Sequence, residues 1–384
     1  MQAVEQASMT TRGARLAGLG VAWFWAFFAC CWWLVPVAEF VLIAVWLAAL
    51  AVGALLCVRL VGGRVEIGFA PLGTVLMSLF ALDYAEYMHS DQALRLLVDM
   101  AGMGLGGGLF VVPLYAFSQW RTRDEALGWM SALILIAAAL FALILLAVDQ
   151  YLQYLGLDAV TRLRILALSN LVIAVYIYKQ IPEFFMRLVL WLIVHVMYRI
   201  DAQGLNKIPR DGPALLVCNH VSFLDPIIVG SNIPRPARFV MYHKIWKLPL
   251  AHQFFKTVKA IAIAPAKEDP VMLEEAYRRI AHSLDDGDLV VIYPEGGITF
   301  DGEIQPFRSG MERILERNPV PVIPLALRGV WGSWFSRYGG RALSGLPRRF
   351  RARIELVVGD AIAPEQANAA LLEQKVRALR GDAR

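Results

Sequence analysis

The sequence predicts two fold classes in one chain: an all-α membrane region of about six spans, followed by a cytoplasmic α/β domain with a central mixed sheet. Three observations predict this. Of the 384 residues 58% are apolar, too large a share for an ordinary soluble protein. The runs long enough to cross a bilayer all lie in the first half. From residue 201 the apolar runs shorten to strand length and alternate with polar, helix-like stretches, the pattern of an α/β sheet.

Apolar runs lie at about 16–36, 39–60, 66–83, 93–118, 126–148 and 162–178, each near the roughly 20 residues that a membrane helix needs. The first run contains Trp23, Trp25, Trp32 and Trp33 and flows into the second without a small-residue cleavage site, so it is expected to stay in the mature protein. Arg12 and Arg15 precede the first run, Arg59 and Arg64 follow the second, Arg121 and Arg123 follow the fourth, and Lys179 follows the sixth. The intervening loops "DYAEYMHSDQ" and "DQYLQYLGLDAVT" hold no Lys or Arg. Such alternation puts both ends of the membrane region, residues 1–180, in the cytoplasm.

Within the fourth run, Gly102 and Gly106, and Gly104 and Gly108, stand four apart, which lets another helix approach closely. Arg95 and Asp99 at i and i+4 are expected to neutralise each other. "PEFFMRLVLWLIVHVMYRI", within a linker at 181–200, reads as an interfacial helix, because a seventh full span would reverse the sidedness of all that follows. Cys30, Cys31, Cys57 and Cys218 show no disulfide or metal-ligand spacing, so no metal is expected.

Residues 1–199 carry 12 Lys and Arg against 12 Asp and Glu, whereas residues 200–384 carry 25 against 20. A basic domain suits work beside an anionic leaflet. No basic stripe interleaved with aromatics appears, so nucleic acid is not an expected partner. Strands are expected at 214–218, 238–241, 260–264, 289–293, 321–327 and 353–358, and an amphipathic helix in "DPVMLEEAYRRIAHSLDDG", which opens on Asp-Pro and ends before Gly287.

Two stretches carry chemistry. In "NHVSFLDP", Asn219–Pro226, Asp225 can hydrogen-bond one nitrogen of His220 and leave the other to take a proton from a hydroxyl. Ser222 lies between them, without the surroundings of a nucleophile elbow, so the attacking hydroxyl is expected to belong to the substrate. In "IYPEGGITFDGEIQPFRSG", Glu295 leaves a strand, Gly296 and Gly297 permit close backbone approach to a polar group, and Arg308 stands at a helix start suited to an anion.

Together "NHVSFLD", "YPEG" and "VIPLAL" (Val322–Leu327) resemble, in order and spacing, the glycerophospholipid acyltransferase family, which includes the 1-acyl-sn-glycerol-3-phosphate acyltransferases, over about residues 190–365. The resemblance implies an acyltransferase domain within 201–384, His220 as general base, Asp225 as its orienting partner, and Glu295 with Gly296 in acceptor binding; Asn219, Ser222, Gly297, Lys267 and Arg308 are the further candidates for substrate contact. Two departures bear on the acceptor. The family's second block closes with an Arg, where this chain has Ala264, Pro265 and Ala266 with Lys267 the nearest cation, and its Glu-Gly-Thr-Arg is here Glu295, Gly296, Gly297 and Ile298. Both leave room for a lysophospholipid whose phosphate carries a head group.

The segments "LLCVRLVGGRVEIG" and "GLGGGLFVVPLYAFSQWRTRDE" resemble the second half of a major facilitator transporter, in particular the lysophospholipid-transporter branch. Such transporters have twelve spans, so this resemblance implies a missing half, supplied by another chain or a second copy.

The function these readings imply is acyl transfer at the inner membrane. The acyl group comes from acyl-CoA or acyl-carrier protein as co-substrate, with no further cofactor, and goes to a lysophospholipid or 1-acylglycerol 3-phosphate drawn from membrane lipids. The alternative is a lysophospholipid transporter component whose soluble part captures lipid.

Overall fold

The computed structural model describes residues 17–30, 40–62, 66–120, 127–247, 249–344, 346 and 348–382. Arg12, Arg15, Trp32, Trp33, Arg64, Arg121, Arg123 and Cys31 lie outside the described residues. The chain divides into two units, Met1–Phe185 and Met186–Arg384.

The first unit is helical: α1 (Ala17–Cys30), α2 (Phe40–Val61), α3 (Phe69–Tyr87), α4 (Ala93–Trp120), α5 (Leu127–Tyr154) and α6 (Ala159–Gln180). Among the described residues four helices, α2, α4, α5 and α6, are long and apolar enough to cross a membrane. The described part of α1 is shorter, and α3 carries the fully buried Thr74 and Ser78 along its 19 residues.

The glycines of α4 are consumed by packing. A Cβ on Gly104 or Gly108 would collide with the α2 backbone at Trp46 and Ala54, and one on Gly53 with the carbonyl of Leu105. On the α3 side, a Cβ on Gly73 would stand 2.5 Å from the Gly106 carbonyl oxygen, and one on Gly102 would enter the Phe80 ring. Small residues thus bring helix backbones together, the packing device of membrane helices. Asn170 of α6 ties α1 to α3: it accepts from Trp23 Nε1 at 3.1 Å and donates to the Thr74 carbonyl and Ser78 Oγ at 3.2 and 3.0 Å.

The expected Arg95–Asp99 pair does not form as read. Arg95 instead donates two hydrogen bonds to Asp83 of α3, at 2.9 and 2.7 Å, and lies over the Tyr87 ring. The turn between α3 and α4 brings Asp83 within reach of the guanidinium fork, and a bidentate pair outcompetes a neighbour one helical turn away.

α7 (Pro182–Met197) runs across the division between the units. Seven strands follow: β1 (Arg199–Gln203), β2 (Ala214–Cys218), β3 (Ala237–Tyr242), β4 (Ile261–Ile263), β5 (Leu289–Ile292), β6 (Val322–Arg328) and β7 (Arg353–Val358). Their spatial order is β1-β7-β6-β2-β5-β3-β4. Among the described strands β6 and β7 pair antiparallel and the other pairs are parallel, which makes the sheet mixed.

β2 and β5 are buried throughout, which is why they read as unbroken apolar runs. The residues of β2 alternate between layers. Leu216 and Cys218 pack with Ile228 and Val229 of α8 (Asp225–Asn232). Leu215 and Val217 join Ile280 and Leu284 of α11 (Pro270–Asp285), Ile314 of α12 (Gly310–Arg317) and Val376 of α13 (Ala369–Arg380). Between α8 and α11 lie the short α9 (His243–Trp246) and α10 (Pro249–Thr257). α11 is the expected amphipathic helix, capped by Asp269, whose side chain accepts from the Met272 N–H at 2.9 Å.

β2 sits where chain connections diverge, with β6 on one side and β5 on the other. In open α/β sheets the crevice beyond the carboxyl ends of such strands is where ligands bind.

Candidate active site

Val217 of β2 stands in register with Ile292 of β5. Two parallel neighbours therefore release their following segments, Asn219–Asp225 and Tyr293–Gly297, at the same edge of the sheet. This register is how two motifs 75 residues apart meet.

The turn after β2 is built around Asp225, the first residue of α8 and fully buried. Four donors converge on its carboxylate. Oδ2 takes His220 Nδ1 at 2.8 Å and the N–H groups of Val221 and Ser222 at 2.5 and 2.8 Å, and Oδ1 takes Ser222 Oγ at 2.7 Å. With Nδ1 donating to Asp225, the imidazole is fixed in the tautomer whose Nε2 is an acceptor. Nε2 has no hydrogen-bond partner among the described residues, and the side chain is 17% exposed. The Tyr293 ring stacks on the imidazole with centroids 4.3 Å apart and planes 23° apart. One face and one nitrogen are held, and the other nitrogen is open.

Both carboxylate oxygens of Glu295 are taken by backbone N–H groups. Its Oε1 accepts the His220 backbone N–H at 2.6 Å and its Oε2 the Gln305 N–H at 2.8 Å. Burial pushes its carboxyl up to about 7, against the lowering effect of these two hydrogen bonds. Its role is to pin the backbone of the His220 turn, which the Thr299 N–H also holds by donating to the His220 carbonyl at 3.0 Å.

Asn219 and Ser222 likewise face inward. The Asn219 carboxamide donates to the Leu327 carbonyl at 3.1 Å and accepts the Leu327 N–H at 2.8 Å, extending the β2–β6 ladder by a side chain just where the main chain leaves it. Ser222 is fully buried and bound to Asp225, so neither side chain lines a substrate path. The expectation of direct contact becomes a supporting role for both, because their polar atoms are already paired inside the fold.

Gly296 has φ +74°, the left-handed region that favours glycine. A Cβ there would stand 2.5 Å from the guanidinium carbon of Arg308. The Arg308 head therefore lies against the Gly296 backbone, and it is exposed and without an ion-pair partner among the described residues. This supplies a cation beside the Glu295 segment, where Ile298 stands in place of one. A Cβ on Gly297 would meet nothing within 4 Å, so no close approach requires a glycine there. Lys267 is exposed in the loop after β4, and no contact among the described residues links it to the His220–Asp225 pair.

Tyr293 was not singled out from the sequence, although it opens the "YPEG" stretch; an aromatic at the end of a buried strand carries no sign that it stacks on a histidine 73 positions earlier. Its hydroxyl is buried without a partner among the described residues, and burial raises the phenol well above its usual range.

Residues 199–328 match the family model described as Acyltransferase. This segment is similar to the acyltransferase family. Curated relatives of the domain include a chloroplastic 1-acyl-sn-glycerol-3-phosphate acyltransferase of Brassica napus, 28% identical over 153 residues, covering 39% of this chain and 43% of that one. A counterpart from Arabidopsis thaliana is 27% identical over 39% of this chain and 42% of its own length. A protein of Mycoplasma pneumoniae described as a probable 1-acyl-sn-glycerol-3-phosphate acyltransferase is 26% identical over 49% of this chain and 74% of its own. The chain thus spans less than half the length of the first two relatives. Among solved structures, the 1-acyl-sn-glycerophosphate acyltransferase PlsC of Thermotoga maritima is similar at a TM-score of 0.41 and 16% identity, covering 52% of this chain and 80% of that one.

Proposed function

We propose that the protein is a membrane-bound O-acyltransferase that moves an acyl group from acyl-CoA or acyl-carrier protein to a lysophospholipid or 1-acylglycerol 3-phosphate. The observation that carries this reading is the His220–Asp225 pair, with Nδ1 fixed at 2.8 Å from a fully buried carboxylate and Nε2 unoccupied. Nε2 takes the proton of a glycerol hydroxyl as its oxygen attacks the thioester carbonyl. The carbon–sulfur bond then breaks, and the imidazolium returns the proton to the departing thiolate. Asp225 balances the imidazolium charge in between.

Arg308, seated against Gly296, pairs with the acceptor phosphate, and this favours acceptors with an accessible phosphate. The acceptor named for the relatives supports the same class. The four long apolar helices support a multi-pass membrane protein, and the charge alternation of the loops supports the inner membrane with this domain in the cytoplasm. Transport draws on resemblance alone, and the glycine faces of α4 are filled by α2 and α3.

The test is His220→Ala in the full chain, reconstituted with radiolabelled lysophosphatidate or lysophosphatidylethanolamine and each donor. Diacyl product should vanish while the protein still inserts and purifies normally. Turnover near that of the unaltered chain would refute the assignment.

A further inference from the structure

The segment Val330–Ile354 holds six arginines, Arg337, Arg341, Arg348, Arg349, Arg351 and Arg353, and no acidic residue. Arg353 is paired with Asp201 and Glu355. The other five have no carboxylate partner among the described residues: Arg348, Arg349 and Arg351 reach only the carbonyls of Tyr338, Trp331 and His195, Arg337 lies 4.2 Å from the Phe300 ring centroid, and Arg341 is exposed. Large apolar side chains are interleaved with these cations and left open to solvent: Tyr338, Leu343, Phe350 and, at 84% exposure, Leu346.

This segment is fastened to the candidate active site. Ser222 pairs with Ser336 in an antiparallel bridge, and the Phe223 N–H donates to the Phe335 carbonyl at 3.2 Å. Two more exposed aromatics stand on the site's own loops, Phe223 in the His220 turn and Phe300 directly after Thr299, whose N–H holds the His220 carbonyl. Arginines without a carboxylate partner among the described residues and exposed apolar side chains therefore stand on segments tied to the His220 turn. A water-facing surface has no use for that combination, which exposes apolar area and leaves like charges uncompensated. At a bilayer, apolar tips enter the acyl region while guanidinium groups meet lipid phosphates.

We infer that the Trp331–Arg351 segment, with Phe223 and Phe300, is a docking surface for an anionic phospholipid bilayer, pressing the mouth of the His220 site onto the leaflet. A lysophospholipid can then pass from the leaflet to His220 without crossing water. A bilayer is favoured over an acidic protein partner because exposed apolar residues alternate with the cations along the segment, which suits apolar tips and lipid phosphates side by side. The inference concerns binding alone and does not depend on turnover.

The test uses the full chain with Leu346→Cys carrying an environment-sensitive fluorophore, with the unaltered chain put through the same labelling as background. It is reconstituted in phosphatidylcholine vesicles with or without phosphatidylglycerol, and with nitroxide-labelled acyl chains as quencher. The emission should shift to the blue and be quenched in the anionic vesicles. Arg341→Glu with Arg348→Glu should reduce that quenching at least about fivefold, the effect of losing a single cation at an anionic surface, and His220→Ala should leave it unchanged. Should the double reversal fail to reconstitute, Phe350→Ser in the same assay should weaken quenching through the apolar half of the surface. The inference is overturned by a probe that stays water-exposed in anionic vesicles, by equal quenching in neutral and anionic vesicles, or by a response to added acyl-carrier protein in place of lipid.

Discussion

Glu295→Gln keeps the shape of a buried side chain and removes its charge. In the folded protein burial lifts this carboxyl from 4.5 to about 7, a displacement worth about 3 kcal/mol of linkage to folding. The folded-state value lies above the unfolded one, so the stability contribution of the group is fully present below about pH 4.5 and is lost as pH rises through about 7. At low pH the protonated acid and the carboxamide are both neutral, each with a carbonyl acceptor and a donor group, and the two proteins should be of similar stability. At pH 8 the variant should be the more stable by up to about 3 kcal/mol. Its turnover should nevertheless be lower, because only the carboxylate accepts both the His220 and Gln305 N–H groups; a shift of the turn by a fraction of an ångström is expected to cost about 10- to 100-fold. Denaturant-dependent hydrogen exchange of the β2 and β5 amides, read from pH 5 to 8 in both proteins, measures the stability difference. Profiles that remain parallel across that range would refute the reasoning.

Asp225→Asn places an amide donor where backbone and imidazole donors converge, and kcat should fall on the order of 10³- to 10⁴-fold; a loss confined to KM would contradict a tautomer-fixing role. Arg308→Ala should raise KM for a phosphate-bearing acceptor about tenfold, the loss of one charge-assisted contact, and Gly296→Ala should do the same by displacing the guanidinium. If both variants keep the native KM, the phosphate contact lies elsewhere. Tyr293→Phe should turn over normally, since the hydroxyl has no partner among the described residues, whereas Tyr293→Ala should lower kcat about tenfold by freeing the imidazole; equal effects of the two would shift the role to the hydroxyl. Asn219→Ala leaves the Leu327 N–H and C=O unpaired and should destabilise the domain by about 2–4 kcal/mol, measurable by the same exchange experiment.

The strands that form the middle of the sheet were legible because burial on both faces demands unbroken apolar runs, and 214–218 matches β2 to the residue; 353–358 matches β7 by the alternate burial of a strand with one face covered. β1 was not, because "RIDAQ" is an edge strand whose residues are half-buried or exposed, and its pairing with β7 depends on partners over 150 positions away. α13 was missed for a related reason: its apolar stripe is short and surrounded by charges, and only the sheet surface it covers reveals it. At the site, residue types and spacing paired His220 with Asp225, which the structure joins at 2.8 Å, but they did not give the direction of the neighbouring side chains. Asn219, Ser222 and Glu295 carry groups that fit a ligand equally well, and which way each points is decided by backbone amides that no motif encodes. The Arg95 pairing failed likewise: helical spacing ranks neighbours along one helix, and the winning partner came from the next.

That the Asn219 carboxamide takes the place of a strand residue has a genetic consequence. Asn219 and His220 are adjacent codons, and loss-of-function alleles at the two would look alike at a restrictive temperature. On the proposed mechanism a lesion at His220 removes the base and should be null under every condition. One at Asn219 loosens a joint that cooling or a compensating change in β6 can tighten, so its alleles should be conditional and suppressible. Suppressors recovered near Leu327 would then map a connection that neither codon betrays by itself.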